Sequence, residues 1–458
     1  MLNRFLRVVV CVSFTIPGLS SAQQSDVTDS LQSLDSAQNV LAELESRYNI
    51  NDPSLVEPLE QLANLYIELN EFEEAHVALD RATQITRMTE GLYSPRQLPL
   101  LQKKIDNYAS RGDWDNVRNH SEHLLWLYRE KTPVTPELVA HLMDLTGVYL
   151  RGVAEDQPLQ QGYHLLQALE SNRLALLVAQ SIWGEYDPRT VPVLYQLLKQ
   201  YHLQTIAVNR GGKTGYTLRE LVPGSGWVFE KGLVRRTNHA IGVGILNQIG
   251  DVYAHIEPVD QEAIAMVDLY LADWEVLFTN REEAVVLYQE AYQGLLEAGV
   301  TRDQINEYLM TPEILPVDDF YPAVSVAMAE RISLQQLPTY NVLANTGATM
   351  HFDEWSEAFP NVKSPVESGG SAELDSNFAL FSFNLLGLNQ VTRWMGGRYH
   401  SGIGVAEDAA IIQSQLRTPI PDEGLILKLH TLRFRPSLLN GEPAQSTGKL
   451  VYLMANQD

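Results

Sequence analysis

An eleven-residue motif occurs twice in this chain, at residues 91–101 and again at residues 184–194. The copies read GLYSPRQLPLL and GEYDPRTVPVL, and both fit Gly-x-Tyr-x-Pro-Arg-x-x-Pro-x-Leu. A looser third copy lies at residues 52–59, with an aspartate, two prolines and a leucine. Because self-similarity at a spacing of tens of residues indicates stacked supersecondary units, the motif favours a helical-repeat architecture.

Each copy of the motif places turn residues before an apolar run with helical spacing. Proline is tolerated in the first turn of a helix, since its missing N–H would have no partner there in any case. We therefore predict that the motif is the loop that ends one helical repeat and begins the next.

The length and charge of the chain bound its organisation and its partners. With 458 residues the chain is too long for one ordinary core, which favours two or more domains. The formal net charge of −24 lacks the basic footprint of a nucleic-acid-binding protein and disfavours an anionic membrane surface. We predict no nucleic-acid partner, and the simplest role of the charge is solubility through self-repulsion.

The N-terminus has the pattern of a secretory signal peptide at residues 1–22. Two arginines precede an apolar run at 8–16, and small residues precede a cleavage point after Ala22. The run is short for a bilayer span and Pro17 interrupts it, so no stable membrane span is expected after cleavage. These features predict a periplasmic protein of a Gram-negative bacterium. An uncleaved segment that anchors the chain is the alternative.

Cysteine usage agrees with this interpretation. The sole cysteine, Cys11, lies inside the apolar run of the predicted signal. The processed chain would then have no cysteine, which excludes both disulfides and thiolate catalysis.

Helical periodicity begins at residues 37–48, after a polar stretch at 23–36 that we expect to be loose. The first clear repeat follows, with apolar and small residues at helical spacing on both sides of a turn at residues 69–71. Small residues would let two antiparallel helices approach closely. The packing positions are Leu62, Ala63, Tyr66, Ala75, Leu79 and Ala82.

These six residues match, one by one, the packing positions of the tetratricopeptide repeat (TPR), and the chain resembles that family. Adding 42 gives a second repeat, in which Tyr108 and Trp114 replace Tyr66 and Phe72. Further units follow residues 132–136 and 187–188, and another pair spans 261–297. The resemblance implies a TPR-like α-solenoid over residues 37–310, with an irregular, glycine-rich insertion at 209–236.

In the TPR family, first-helix residues that do not pack line a concave groove that binds partner segments. The resemblance therefore implies a protein or peptide partner. Because several of the corresponding residues are acidic, we predict that this partner has basic residues. The predicted groove residues are Glu60, Asn64, Glu68, Gln102 and Asp106.

The composition changes after residue 310. Residues 311–375 are rich in proline and predict a connecting region with short strands, ending in a linker at 364–376. Strand-like alternation marks residues 378–385, and a closing strand is predicted at 446–454. Between them we predict two helices, at 407–416 and 423–432.

The end of the chain resembles a second family, the TonB C-terminal domain. The resemblance covers residues 376–455, where the bulky corner RFRP at 433–436 precedes the turn NGEP at 440–443 and a strand. It implies a small sheet-plus-helix domain and, by analogy, partner binding through a sheet edge. The fold class is therefore predicted as mainly α with a C-terminal α+β domain. A proline-rich, periplasm-spanning segment typical of that family is missing.

No motif in the sequence indicates catalysis with any specificity. Residues 207–214 fit a relaxed phosphate-loop pattern, but a helical segment precedes them where that loop requires a strand. The histidines lack metal-ligand spacing. Trp126, Trp183 and Trp274 are predicted to lie in the core.

We therefore predict a non-enzymatic scaffold for protein binding, with no metal and no cofactor. Two alternatives remain open. One is an enzyme or small-molecule binder that uses loop 209–236 or loop 396–404, both of which are rich in glycine. The other is a TonB-like energy-transducing or envelope-associated component, anchored by an uncleaved N-terminal segment.

Overall fold

The computed structural model of the protein divides into two compact units, Met1–Thr132 and Pro133–Asp458, called here the N-terminal and C-terminal units. Helices dominate the described residues. No helix among them is long and apolar enough to cross a bilayer. The predicted signal, most of the glycine-rich insertion and the predicted linker lie outside the described residues. The structure describes residues 21–210, 231–335, 347–357, 359–363, 377–385, 394–395, 398–399 and 403–455.

Residues 21–132 of the N-terminal unit form five helices, and a short 3-10 turn at Pro53–Leu55 leads into the second. The alanines that the TPR resemblance singles out, Ala63, Ala75 and Ala82, are fully buried. Their burial agrees with the predicted close approach of the paired helices. The helices are α1 (Ser21–Arg47), α2 (Val56–Glu68), α3 (Phe72–Glu90), α4 (Gln97–Ser110) and α5 (Trp114–Glu130).

The first helix corrects one prediction. Residues 23–36 were expected to be loose, yet they form the first half of α1. The stretch contains no proline or glycine, and Leu34 and Leu41 bury their side chains in the core of the α2–α3 pair. Burial of this apolar stripe holds a helix whose polar sequence alone gives a weak signal.

The repeated motif has the predicted role in both of its full copies. Gly91 follows α3 with φ 99°, and Gly184 follows a helix of the C-terminal unit with φ 97°. Only glycine adopts this backbone without strain. The N–H of each glycine donates to a carbonyl four residues earlier, and Ser94 and Asp187 accept from the N–H two residues on. The motif thus ends one helix and begins the next.

The C-terminal unit continues with paired helices. The residues predicted to pack are again buried, among them Leu142, Tyr149, Ala272 and Ala284. Its helices are α6 (Pro136–Glu155), α7 (Gln161–Trp183), α8 (Val191–Arg210), α9 (Lys231–Ala254), α10 (Gln261–Leu277), α11 (Arg281–Glu297), α12 (Arg302–Met310), α13 (Val324–Gln335) and α14 (Asp422–Thr431).

A five-stranded sheet in the C-terminal unit has the order β3-β2-β11-β4-β7. The central strand β11 pairs antiparallel with β4 and parallel with β2. The strands are β2 (Met350–Ser356), β3 (Phe359–Lys363), β4 (Phe378–Leu385), β7 (Ala406–Gln415) and β11 (Ser446–Leu453). Short pairs are formed by β1 (Glu313–Leu315) with β8 (Arg433–Arg435), β5 (Trp394–Met395) with β6 (Arg398–Tyr399), and β9 (Leu438–Leu439) with β10 (Glu442–Pro443).

Two expectations for this part of the chain change. The helix predicted at 407–416 is wrong, because these residues form β7 and pair antiparallel with β4. Pairing along β4 outweighs the helix propensity of the alanine and acidic residues. The sheet also begins at Met350, within the region predicted as a connection, since β2 pairs with β11. The prediction of strands at β4 and β11 and of a helix at α14 is confirmed.

Candidate partner-binding site

Helix α2 is amphipathic, and its two faces have different roles. One face packs into the core through Val56, Leu59, Leu62 and Ala63. The other face is an exposed polar stripe at spacing i, i+4, i+7 and i+11, which places its members on one side of a helix. This α2 stripe consists of Glu57, Gln61, Asn64 and Glu68.

A groove of about 720 Å³ runs between α1 and α2. Gln38 of α1 donates a hydrogen bond from Nε2 to the Tyr66 hydroxyl of α2 at 3.0 Å, which helps to fix the two helices. The α1 wall carries amide, hydroxyl and apolar groups. Its lining residues are Gln32, Ser33, Ser36, Ala37 and Val40.

The α2 wall of the groove consists of Pro58, Gln61, Asn64 and Leu65. Amide side chains both donate and accept hydrogen bonds, so they can pair with either group of a peptide backbone. The groove therefore combines backbone-reading amides with a small apolar floor. Such a lining suits an extended chain better than a reacting substrate, because it has no acidic or basic side chain that could activate its two serine hydroxyls.

Of the five predicted groove residues, Asn64 lines this groove and Glu68 is exposed at the end of α2. Glu60 points toward the next repeat, where its Oε1 accepts from Lys103 Nζ of α4 at 2.6 Å. Both of these side chains are about one-third exposed. The charge of Glu60 is therefore balanced within the chain, which reduces its attraction for a basic partner.

The two predicted residues of α4 contact each other. Gln102 donates from Nε2 to Asp106 Oδ1 at 3.3 Å. Asp106 is exposed, and Gln102 is half-buried with its Oε1 enclosed and without a hydrogen-bond partner. Thus α4 presents one carboxylate to solvent. Neither α4 residue lines the groove between α1 and α2.

The residues of α1 are the part of the site that sequence reasoning missed. Gln32, Ser33 and Ser36 fall within the stretch that was expected to be loose, whereas Ala37 and Val40 lie in the helix predicted at 37–48. A signal was present, since residues 21–47 lack proline and glycine and place Leu34 and Leu41 seven residues apart. That spacing is typical of one apolar stripe on a helix.

Both helices carry acidic residues, although the lining of the groove itself contains no charged side chain. Residues 21–46 of α1 contain five acidic residues and no lysine or arginine. Glu43 and Glu45 pair with Arg47 and Arg81, whereas Asp35 on the same helix remains exposed. On α2, Glu57 and Glu68 are exposed, and neither has an ion-pair partner among the described residues. The ends of the α2 stripe therefore offer two carboxylates to a cationic ligand.

A polar network that is partly exposed at Asp80 joins α3 to α4. Lys104 Nζ lies 2.5 Å from Asp80 Oδ1, and His76 Nε2 lies 3.2 Å from Asp80 Oδ2. The hydrogen bonds from His76 and Lys104 hold the pKa of Asp80 well below its usual range. The Tyr108 hydroxyl is 2.7 Å from His76 Nε2, and burial raises the Tyr108 pKa. The network connects the two helices α3 and α4 of successive predicted repeats.

The tryptophans predicted to lie in the core and the two glycine-rich loops have different outcomes. Trp274 lies in the core as expected, but Trp126 is 41% exposed, with its ring 5.6 Å from that of Tyr93 and beneath Lys131. Most of both glycine-rich loops lies outside the described residues. Within those residues, no group of three histidine, cysteine or acidic side chains is placed to hold a metal ion.

No family model matches the chain. No curated protein matches it either. Its similar solved structures are TPR-like repeat proteins, at low sequence identity. Crystal structures of nearly identical TPR-like repeats from a kinesin light chain-like protein of Podosopora anserina align with 14% identity and TM-scores of 0.35 and 0.34. They cover 55% and 54% of this chain and 99% and 98% of those chains.

The crystal structure of BtubC from P. vanneervenii aligns with 13% identity and a TM-score of 0.32, over 62% of this chain and 94% of that one. The description of the present helices as TPR-like rests on their paired arrangement and buried alanines rather than on these similarities.

Proposed function

We propose that this chain is an exported, periplasmic scaffold that binds a protein or peptide partner without catalysing a reaction. The partner has basic residues and binds the exposed face of α2 and α4 in the N-terminal unit. The observation that carries the proposal is the division of α2. Its inner face is committed to the core, and its outer face presents the α2 stripe beside an open groove.

The chemistry of that face supports a basic partner. Glu68 and Asp106 are exposed carboxylates on successive first helices, with Asn64 and Gln102 beside them. Charges at the surface of a repeat protein steer an oppositely charged segment and fix its register. Glu60 has a smaller part than the other acidic residues, because Lys103 already neutralises it.

A binding experiment with matched variants tests this function. Immobilised chain would be exposed to periplasmic extract, and the captured proteins would be compared between the natural chain and the triple variant Asn64→Ala/Glu68→Ala/Asp106→Ala. We expect the variant to lose the main captured protein. Glu74→Ala is the control, since Glu74 is exposed on the second helix α3, away from the predicted face. Equal capture by the natural chain and the triple variant would mean that this face does not bind the partner.

The proposed compartment rests on the basic, apolar and small-residue pattern of residues 1–22. N-terminal sequencing of the protein recovered from cells would test it. Export with cleavage gives a chain that starts at Gln23. An intact N-terminus on a membrane-associated protein would favour the alternative, a TonB-like envelope component held by its N-terminal segment.

For the end of the chain we propose a TonB C-terminal-like domain. The order of elements supports it, since α14, the corner at β8, the turn between β9 and β10 and the closing strand β11 follow one another as in that family. Here β2 and β3 are added to the sheet. The edges of this sheet, β3 and β7, would be the second place for partner binding.

A further inference from the structure

We propose that the groove between α1 and α2 binds an extended peptide that carries two basic residues about five positions apart. This inference rests on the proposed function and assigns its ligand. It also moves the binding site toward α1, a helix that belongs to none of the predicted repeats.

The first argument is the shape and lining of the groove. At about 720 Å³ it is large enough for several residues of an extended chain. Gln32 faces it from α1, and Gln61 and Asn64 face it from α2, so amides stand on both walls. An extended peptide exposes N–H and C=O groups alternately on its two sides. Amides on both walls can pair with both sides of such a chain.

The second argument is the size of the floor. Ala37, Val40, Pro58 and Leu65 are the apolar residues of the lining, and none of them is aromatic. The floor offers shallow contact without a deep pocket for a large anchor. The central residues of the ligand are therefore small or polar, and its affinity comes mainly from its backbone and its charged ends.

The third argument sets the spacing. Glu57 and Glu68 end the α2 stripe, and they are eleven residues apart on one helix. At a rise of 1.5 Å per residue, their Cα atoms lie about 16 Å apart along the axis. A β-like peptide advances about 3.3 Å per residue, so about five residues span the same length. Lysine or arginine at both ends would then meet both carboxylates.

The sign of the charge excludes the opposite ligand. Helix α1 has the exposed Asp35 and no lysine or arginine before Arg47, and neither carboxylate at the ends of the α2 stripe has an ion-pair partner among the described residues. An acidic peptide would be repelled by both helices, because like charges across an interface disfavour binding. Charge complementarity thus commits the groove to a basic segment.

Fluorescence anisotropy with the full chain would test the inference. The probe is a labelled peptide, Lys-Ser-Ala-Ser-Ala-Lys, and the comparison is a peptide of equal composition with adjacent lysines. We expect the spaced peptide to bind several-fold tighter, since only it can reach both carboxylates at once. The double variant Glu57→Gln/Glu68→Gln should weaken the spaced peptide by roughly tenfold and abolish the preference for spacing.

Two tryptophan variants locate the binding site. Ser36→Trp fills the groove from its rim and should weaken the spaced peptide by roughly tenfold, a loss typical of a blocked contact surface. Gln84→Trp is the matched control, since Gln84 is exposed on α3 and outside the lining, and it should bind as the natural chain does. Circular dichroism of both variants checks that the helices remain.

The outcomes separate this inference from the proposed function. Equal binding of both peptides, or unchanged binding by Ser36→Trp, means that the acidic surface attracts lysines non-specifically, and the inference is wrong. If the spaced peptide does not bind while the natural chain still captures its partner through Asn64, Glu68 and Asp106, the groove assignment fails and the scaffold function stands. If neither the triple variant nor the groove variants reduce capture of the partner, both the inference and the proposed function are wrong.

Discussion

Helices α2 and α10 are both first helices of TPR-like pairs, but they differ in what covers them. In the N-terminal unit, four of the 13 residues of α2 are buried, all on one side. In the C-terminal unit, 12 of the 17 residues of α10 are buried, so this helix is enclosed on all sides. The same building block therefore presents a face to solvent in one unit and hides it in the other.

The end of the chain supplies part of the covering of α10. Arg435 of β8 is buried and donates from Nε to Asp273 Oδ1 of α10 at 2.9 Å. Tyr308 accepts from Arg435 Nη1, and Tyr288 donates to Asp273, both at 2.9 Å. The turn between β9 and β10 brings Gly441 against α11, where an added Cβ would lie 3.0 Å from the Cβ of Tyr292. A buried ion pair with satisfied hydrogen bonds thus connects β8, near the end of the chain, to α10.

This difference teaches how one repeat type can serve two purposes. A helical pair buries a continuous core and leaves a surface that something must solvate or cover. In the C-terminal unit the chain itself supplies the cover, through β8 and the β9–β10 turn. In the N-terminal unit the corresponding surface carries carboxylates and amides, which suit water and a partner.

The largest expected effect is on the enclosed side of the comparison. Arg435→Met leaves Asp273 buried without its cation, which should lower the free energy of unfolding of the C-terminal unit by about 3–5 kcal/mol. Denaturant unfolding, followed by the buried Trp274, would measure the loss. The double variant Arg435→Met/Asp273→Leu should recover part of it, because no unpaired charge is left. Equal stability of all three proteins would mean that the ion pair does not hold the sheet domain in place.

The second effect is pH dependence in the C-terminal unit. Burial lowers the pKa of His202 to about 4, and burial likewise lowers that of His351 to about 4, both from 6.5. The unfolded chain takes up these protons first, so stability is complete above pH 6.5 and is lost as the pH falls toward 4. Thermal unfolding at pH 7 and pH 4.5 would show the difference.

The matched variant for this test is His202→Gln/His351→Gln, which removes both titrating groups. Its melting temperature should fall less between the two pH values than that of the natural chain. The contribution amounts to about 1–3 kcal/mol, since each pKa unit corresponds to about 1.4 kcal/mol and partial exposure reduces the full amount. Identical pH profiles for the two proteins would contradict this origin.

A third prediction concerns the repeated motif, which should behave alike in both units. Gly91→Ala and Gly184→Ala force alanine into a backbone at φ 99° and 97°, with no neighbouring atom in the way of the new methyl group. Each should therefore cost about 1–2 kcal/mol through backbone strain alone.

The control is Gly147→Ala in the interior of α6, where the added methyl group also meets no atom. Alanine is the better helix former, so this variant should gain about 0.5–1 kcal/mol. Unfolding of each variant by denaturant would give the comparison. A loss at only one of the two motif glycines would show that the copies are not equivalent.

The smallest expected effect concerns the exposed face of α2 and α4 in the N-terminal unit. Lys103→Met removes a half-exposed ion pair, which should change stability by no more than about 1 kcal/mol. It also frees Glu60, so a basic partner should bind a few-fold tighter, in line with a gain of about 0.5 kcal/mol. Affinity for the captured partner at low and high salt would measure this. Weaker binding would mean that Lys103, rather than Glu60, contacts the partner.

Sequence reasoning predicted the repeats because their signal is local. Close helix pairs require small residues, and Ala63, Ala75 and Ala82 stand where such pairs meet. The motif glycines and the strands β4 and β11 were likewise predicted from local sequence patterns. Only the first half of α1 was missed, because the polar composition of residues 23–36 gives a weak helical signal until Leu34 packs against α2.

Other features depended on contacts distant in sequence. The helix predicted at 407–416 became β7 only because β4 was available to pair with it. Arg435 was recognised as part of a corner, but its partner Asp273 lies 162 residues earlier, and no spacing rule connects them. The groove could not be predicted for the same reason, because its walls come from two helices. Of its lining residues, only Asn64 was among the predicted groove residues.

Hydrogen exchange of the full chain, with and without the spaced dibasic peptide, tests the central contrast most directly. We expect the peptide to slow hydrogen exchange in α1 and α2, because it covers the groove and the α2 stripe. We expect no change in α10 and α11, which are already covered by the end of the chain. Protection that appears in α10 or α11, with none in α1 and α2, would contradict the account.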